Sequence, residues 1–106
     1  MTVMNQDLFQ KAVYGGNVPV LVEFGAPWCV YCRRIGPVMD KLAQQNRGKL
    51  LMGKVDIDQE PLLAHKENIE MIPTLVLYQN GEALGSIVAP TSKAAIEEFI
   101  LDTLGE

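Results

Sequence analysis

This chain of 106 residues is poor in metal-binding side chains and in basic charge. It has two cysteines and one histidine, and nine Lys and Arg against thirteen Asp and Glu, for a formal net charge of −4 at pH 7. A structural zinc site takes four ligands, mostly sulfur and nitrogen, so a single chain is not expected to bind one, although two chains sharing a cluster stay an alternative. Nucleic acids and anionic membranes attract clustered positive charge, so neither is expected as a partner.

Long apolar runs and nucleotide-binding loops are missing as well. The first seven residues carry no basic segment, and the apolar stretch Val18–Phe24 is far too short to span a bilayer, which predicts a cytoplasmic protein. Gly15-Gly16 is a turn and not a phosphate loop, so no cofactor is expected. The length and the 48% hydrophobic content predict one domain over residues 1–106.

The apolar pattern predicts helices and strands in an order typical of α/β proteins. Helices are expected where apolar residues recur every three or four positions, at Asn5–Tyr14, Cys32–Gln45 with a kink at Pro37, Gln59–Asn68 and Ser92–Leu104. Strands are expected at Val18–Phe24, Leu50–Ile57, Thr74–Tyr78 and Glu82–Val88, the last two joined by a tight turn at Asn80-Gly81. This order predicts a central mixed β-sheet with parallel crossovers and one antiparallel edge hairpin.

The two cysteines, Cys29 and Cys32, stand between an apolar strand and the helix that follows it. A lone close pair more often does redox chemistry than structural stapling. At the first turn of a helix, a sulfur faces unpaired backbone N–H groups and the positive end of the helix dipole, which favour thiolate. We therefore predict a redox pair in which Cys29 is the accessible nucleophile and Cys32, one turn further, is shielded.

Several motifs together resemble the thioredoxin family, and they span almost the whole chain. They are Trp28-Cys29-Val30-Tyr31-Cys32-Arg33, Pro37, Lys54-Val55-Asp56-Ile57-Asp58, Ile72-Pro73-Thr74-Leu75 and Asn80-Gly81-Glu82. The resemblance implies a thioredoxin fold, with helices on both faces of the sheet. It also implies dithiol/disulfide exchange on protein substrates through a redox-active disulfide, Cys29–Cys32. Electrons would come from a thioredoxin-reductase-like donor or a small thiol, and the chain is expected to be a monomer.

The resemblance also implies a substrate-binding surface. Pro73 is expected in cis, facing the cysteine pair, with the backbone of Ile72 free to bind an extended substrate like an added strand. Trp28, Met71 and Ile72 would form an apolar rim for docking. For Met71 and Ile72 the alternative is ordinary core packing.

Two charged residues complete the predicted catalytic set. Glu23 is the one charge in its apolar strand, and burial would raise its pKa towards neutrality, which suits a general base acting on Cys32. The resemblance supports this role, although the family usually has aspartate there. The alternative is a carboxylate that reaches solvent. Lys54 matches a family lysine that neighbours the buried acid, so a modulating role is expected, with a solvated strand-end lysine as the alternative.

Three positions depart from the family pattern. Val30-Tyr31 replaces the usual Gly-Pro between the cysteines, Gly25 stands where an aromatic residue is common, and Ala89-Pro90 stands where a glycine is usual. Because the intervening dipeptide affects thiolate stabilisation, a glutaredoxin-like or oxidant/isomerase-like exchanger of higher potential stays an alternative. A noncatalytic binding module with the thioredoxin fold is a third hypothesis.

Overall fold

The computed structural model describes residues 1–105, which form a five-stranded mixed sheet with helices on both faces. The predicted α/β architecture is confirmed. In chain order the elements are β1 (Thr2–Val3), α1 (Gln6–Gly15), β2 (Val20–Gly25), α2 (Val30–Gln45), β3 (Leu51–Asp56), α3 (Pro61–Lys66), β4 (Thr74–Gln79), β5 (Glu82–Val88) and α4 (Lys93–Leu104).

The strands lie in the order β1-β3-β2-β4-β5, which places β2 at the centre. β3 runs parallel to both β1 and β2, whereas β4 is antiparallel to β2 and to β5. All six residues of β2 are buried, as expected for a central strand covered on both faces. β4 and β5 form the predicted antiparallel hairpin at the edge of the sheet. β1 was not predicted, because two exposed residues leave no pattern in a sequence.

Successive residues of a strand point to opposite faces of the sheet, and this alternation divides the core in two. Beneath α1 and α3 lies one apolar cluster, made of Met4, Phe9, Val13, Val20, Val22, Phe24, Val55, Leu63, Val76 and Tyr78. Beneath α2 and α4 lies the other, made of Leu21, Ile35, Met39, Leu42, Leu50, Met52, Leu75, Leu77, Ile96 and Ile100. Burial of these side chains is the main favourable contribution to folding.

The predicted caps begin two of the helices. The Asn5 side chain accepts a hydrogen bond from the backbone N–H of Leu8 at 2.9 Å, and Ser92 Oγ accepts one from Ala95 at 3.1 Å. Each cap satisfies an N–H group that the helix itself leaves free. Among the described residues, no helix has the length and apolarity needed to cross a membrane.

Three predicted boundaries were wrong by a few residues. α2 begins at Val30 because Cys29 is its N-cap, and it continues through Pro37. β2 begins after Pro19, which has no N–H group to pair. α3 is shorter than predicted, since Asp56 forms a side-chain turn with the N–H of Asp58 before it and Asn68 has a left-handed φ of 61° after it.

Candidate active site

The two cysteines meet at the N-terminus of α2. Cys29 is the N-cap, and its Sγ accepts a hydrogen bond from the backbone N–H of Cys32 at 3.3 Å. Both are free thiols. The loop before the helix is tied down by a hydrogen bond from Cys29 N–H to the Ala26 carbonyl at 3.1 Å. The Cys29 sulfur therefore sits where helix N–H groups and the helix dipole stabilise negative charge.

The expected contrast in exposure between the cysteines was wrong, because Cys29 and Cys32 are each only 7% exposed. Ala26 forms a small cluster with the two sulfurs, and Ile57 and Ile72 pack against it, so both thiols are covered. What separates them is their place on the helix, because Cys29 is the N-cap and its sulfur accepts the N–H of Cys32. Burial, and then the hydrogen bond with Cys29, raise the pKa of Cys32 from 9.0 to about 12. Cys32 therefore stays a neutral thiol at pH 7.

Glu23 lies on β2 beneath these thiols and is 4% exposed, so the solvent-reaching alternative was wrong. It alternates with Val22 and Phe24, which face α1, and so points towards α2. Burial raises its pKa from 4.5 to about 7; the charge of Lys54 opposes this rise and that of Asp40 adds to it. Near neutral pH this carboxyl group exists in both protonation states, as a proton acceptor and donor should.

Lys54 is the register partner of Glu23 on the neighbouring strand β3. The predicted proximity of the two is therefore confirmed. Its side chain is exposed, so it acts on Glu23 through its charge while remaining in contact with solvent.

Gly25 brings the carboxyl group and the second thiol to one small space. A Cβ atom built on this glycine would lie 2.8 Å from Cys32 Sγ and 2.9 Å from Glu23 Oε2. Both distances are too short for an ordinary contact, so a larger residue here would displace one of the two groups. The sequence carried a signal for this feature, because Gly25 departs from the family pattern.

Apolar side chains surround the cysteines on the surface. Trp28 and Met71 are each 64% exposed, and Val30 and Tyr31, between the cysteines, are exposed as well. Core packing is therefore wrong for Met71. Ile72 is half-buried and packs against the cysteine cluster, which combines both interpretations. The exposed Val30 and Tyr31 therefore extend the predicted rim of Trp28, Met71 and Ile72, and we call all five residues the apolar rim.

Pro73 follows this rim at the start of β4. The Ile72–Pro73 peptide bond is cis, as the resemblance implied. Pro73 is buried, and its carbonyl accepts a hydrogen bond from the N–H of Ala89 at 2.8 Å. Ala89 has a left-handed φ of 45°, a conformation that favours glycine, the residue usual at this position.

Three further residues belong to the site and were not predicted. Trp28 Nε1 donates a hydrogen bond to Asp58 Oδ2 at 2.7 Å, Ile57 packs against the cysteines, and the charge of Asp40 raises the pKa of Glu23. Asp58 and Ile57 lie within a motif that carried the resemblance, so the signal was present for them. Across residues 1–105, no three His, Cys, Asp or Glu side chains are grouped to hold a metal ion.

Comparison with known proteins agrees with this geometry. The thioredoxin family model matches residues 1–102. The chain is 40% identical over 98 residues to thioredoxin M-type, chloroplastic, of Pisum sativum, covering 92% of this chain and 57% of that protein. It is 39% identical over 92 residues to thioredoxin 1 of Nostoc sp., covering 87% and 86%.

A third relative, the bifunctional thioredoxin reductase/thioredoxin of Mycobacterium leprae, is 36% identical over 96 residues, which cover 91% of this chain and 21% of that protein. The chain thus spans less than two thirds of the pea and mycobacterial proteins, but most of the Nostoc protein. The match of the family model and the identity to the Nostoc protein show which family the chain belongs to. The chain belongs to the thioredoxin family of thiol–disulfide oxidoreductases.

Proposed function

We propose that this chain reduces disulfide bonds in protein substrates, with Cys29 as the nucleophile and Cys32 as the resolving thiol. The observation that carries the proposal is the position of Cys29 at the N-cap of α2, where its sulfur accepts the Cys32 N–H. Only the thiolate attacks a disulfide, and the helix N-terminus stabilises that form.

In the first step the Cys29 thiolate attacks one sulfur of the substrate disulfide. A new S–S bond joins enzyme and substrate, the substrate bond breaks, and the departing sulfur leaves as a thiolate that takes a proton from water. This step needs Cys32 to wait as a neutral thiol. The raised pKa of Cys32 supports that role.

In the second step Cys32 must lose its proton before it attacks the Cys29 sulfur. Glu23 is the base we propose, because its carboxyl oxygen and the Cys32 sulfur border the same space above Gly25 and its pKa is about 7. The attack forms the Cys29–Cys32 disulfide and releases the second substrate thiol. Lys54 modulates the proton transfer, since its charge lowers the pKa of Glu23.

The substrate docks on the apolar rim. Trp28 and Met71 offer exposed apolar surface beside the cysteines, and Ile72 packs against the cluster of Ala26, Cys29 and Cys32. An extended substrate segment placed along Ile72 and Pro73 would hold its disulfide next to Cys29. The hydrogen bond from Trp28 to Asp58 fixes the indole in position.

The oxidised pair must be reduced again by an external donor, either a reductase protein or a small thiol. The name of the mycobacterial relative joins a thioredoxin reductase and a thioredoxin in one protein, which favours a reductase of that kind.

We further propose that the protein acts as a monomer in the cytoplasm. One chain supplies both thiols and the base, and a lone reactive pair suits a reducing compartment.

Insulin reduction with dithiothreitol as electron donor tests the proposal. The protein should accelerate the precipitation of reduced insulin chains, and Cys29→Ser should remove the acceleration, because the mixed disulfide with the substrate forms through the sulfur at the helix N-cap. Glu23→Gln should leave the first step intact and slow the second. Full activity of Cys29→Ser would exclude Cys29 as the nucleophile, whereas no acceleration by the native protein would favour a noncatalytic binding module.

A further inference from the structure

A pocket of about 430 Å³ reaches the second cysteine from a side that the mechanism above does not use. It lies between α2 and strands β1 to β3. Its wall includes Glu23, Gly25 and Cys32 at one end, and neither Cys29 nor any residue of the apolar rim lines it. A molecule in this pocket would therefore meet Cys32 without touching the surface proposed for protein substrates.

The size and charges of the pocket fit a small zwitterion. Its volume falls within the range of about 300–1,000 Å³ typical of small-molecule sites. Arg33 and Lys54 bring positive charge to the wall, while Asp56 and Glu23 bring carboxyl groups; the carboxylate of Asp40 is already paired with the N-terminal ammonium of Met1 at 2.9 Å. A molecule with both a carboxylate and an ammonium group would find partners for each.

We propose that a low-molecular-weight amino-acid thiol, of the class of cysteine, enters this pocket and reduces the oxidised pair by attacking Cys32 Sγ. The inference rests on the proposed function, and it gives the chemical class and point of entry of the small-thiol donor named there beside a reductase. Gly25 makes the approach feasible, because it leaves the space beside Cys32 Sγ and Glu23 Oε2 without a side chain.

The chemistry favours attack on Cys32. Glu23 takes the proton of the incoming thiol, whose sulfur bonds to Cys32 Sγ while the Cys29–Cys32 bond breaks and Cys29 leaves as a thiolate. The helix N-terminus stabilises that leaving group. A second thiol molecule then gives its proton to the Cys29 thiolate and attacks the small-molecule sulfur of the mixed disulfide. Cys32 leaves as a thiolate and recovers the first proton from Glu23, and the two small molecules leave joined as one disulfide. Two electrons and two protons thus pass to the pair.

Filling the pocket tests this entry route. Gly36 lines the pocket on α2, and a Cβ there would meet nothing within 4 Å, so a leucine side chain at this position begins in open space and adds bulk to the pocket. For each protein two rate constants are measured, one for reduction of the oxidised form by L-cysteine and one for a single turnover of the reduced form with insulin. We expect Gly36→Leu to lower the ratio of the first to the second by about tenfold or more.

Matched variants on β1 make the test independent of the helix. Val3 lines the pocket whereas its neighbour Thr2 does not, and both are exposed. Val3→Trp should lower the ratio, while Thr2→Trp should leave it at the original value. An unchanged ratio in both Gly36→Leu and Val3→Trp would overturn the proposal.

Mapping the adduct checks the site of attack in the unaltered protein. Oxidised protein mixed with L-cysteine is quenched in acid, alkylated and digested, and we expect cysteinylation on Cys32 and the alkyl group on Cys29. Cysteinylation on Cys29 alone would overturn the proposal. A failure of the proposed function itself would appear separately, as a reduced protein that does not reduce insulin.

Discussion

Along β2, the side chains that face α1 and α3 are Val20, Val22 and Phe24, whereas those that face α2 and α4 are Leu21, Glu23 and Gly25. The first face is continuous apolar core. The second face begins as apolar core at Leu21 and continues with the carboxyl group of Glu23 and the open space at Gly25. The thiol of Cys32, from α2, borders that space. One strand thus carries packing on one side and chemistry on the other, because its side chains alternate.

The difference between the faces shows what the site needs from the fold. Phe24 packs edge-on against Phe9 with ring centroids 6.2 Å apart, which anchors the end of β2 from below. Glu23, one residue away, is thereby held beneath the start of α2. The apolar face pins the strand, and the other face can then tolerate a buried acid whose pKa is raised to about 7.

The largest effects on activity should come from substituting the two cysteines at the end of the sheet face that carries Glu23. Cys29→Ser should lower the rate of insulin reduction by about 10³-fold or more, because no covalent intermediate forms. Cys32→Ser should form the intermediate and fail to resolve it. Gel analysis under nonreducing conditions should show a stable mixed disulfide with insulin only for Cys32→Ser, and the opposite pattern would reverse the roles of the two thiols.

Substitutions at neighbouring positions of β2 should separate the faces by stability. Phe24→Ala should lower the free energy of unfolding by about 3–5 kcal/mol, because it leaves a cavity in the apolar cluster. Glu23→Gln should cause no such loss at pH 8, where the native protein holds a buried carboxylate. Urea denaturation of both variants measures this, and an equal loss would contradict the division.

The pH dependence of stability should isolate Glu23. Folding raises its pKa from 4.5 to about 7, so the folded state binds the proton more tightly than the unfolded chain does. The resulting stabilisation is complete below pH 4.5 and is lost as the pH rises to 7 and beyond. Its size is about 3 kcal/mol, from about 1.4 kcal/mol per pKa unit. The difference in unfolding free energy between the native protein and Glu23→Gln should change by this amount between pH 4 and pH 8; a constant difference would show that Glu23 is not desolvated.

The smallest effects on stability should come from removing helix caps, and they should be similar on the two faces of the sheet. Asn5 caps α1 on the apolar face, and Ser92 caps α4 on the other, each through one side-chain hydrogen bond. Asn5→Ala and Ser92→Ala should each cost about 1 kcal/mol and leave insulin reduction unchanged. Thermal unfolding measures the first effect, and a loss of activity in either variant would show that the caps contribute to the site.

Local signals were enough to predict most of the fold. Some features depend only on residues close by in the sequence, so they can be recognised from the sequence alone. They include the alternation of apolar residues, the turn at Asn80-Gly81 and the helix caps at Asn5 and Ser92. Strand β1 was not predicted because it is defined only by its pairing with β3, which is distant in the sequence. Its two residues carry no signal of their own.

The site was predicted by residue type better than by exposure. The charge of Glu23 in an apolar strand was visible in the sequence, whereas the start of α2 was predicted at Cys32, two residues too late. The equal burial of Cys29 and Cys32 did not follow, because Ile57 and Ile72 cover them from distant parts of the chain. Contacts of this kind depend on tertiary packing.

Cys29 and Cys32 are equally buried but are proposed to differ in reactivity, and alkylation of the reduced protein distinguishes them. Iodoacetamide is added at pH 7, samples are quenched over time, and peptide mapping gives the modified fraction of each cysteine. We expect Cys29 to be alkylated while Cys32, with a pKa of about 12, stays unmodified. Alkylation of Cys32 at the same rate as Cys29, or before it, would contradict the account.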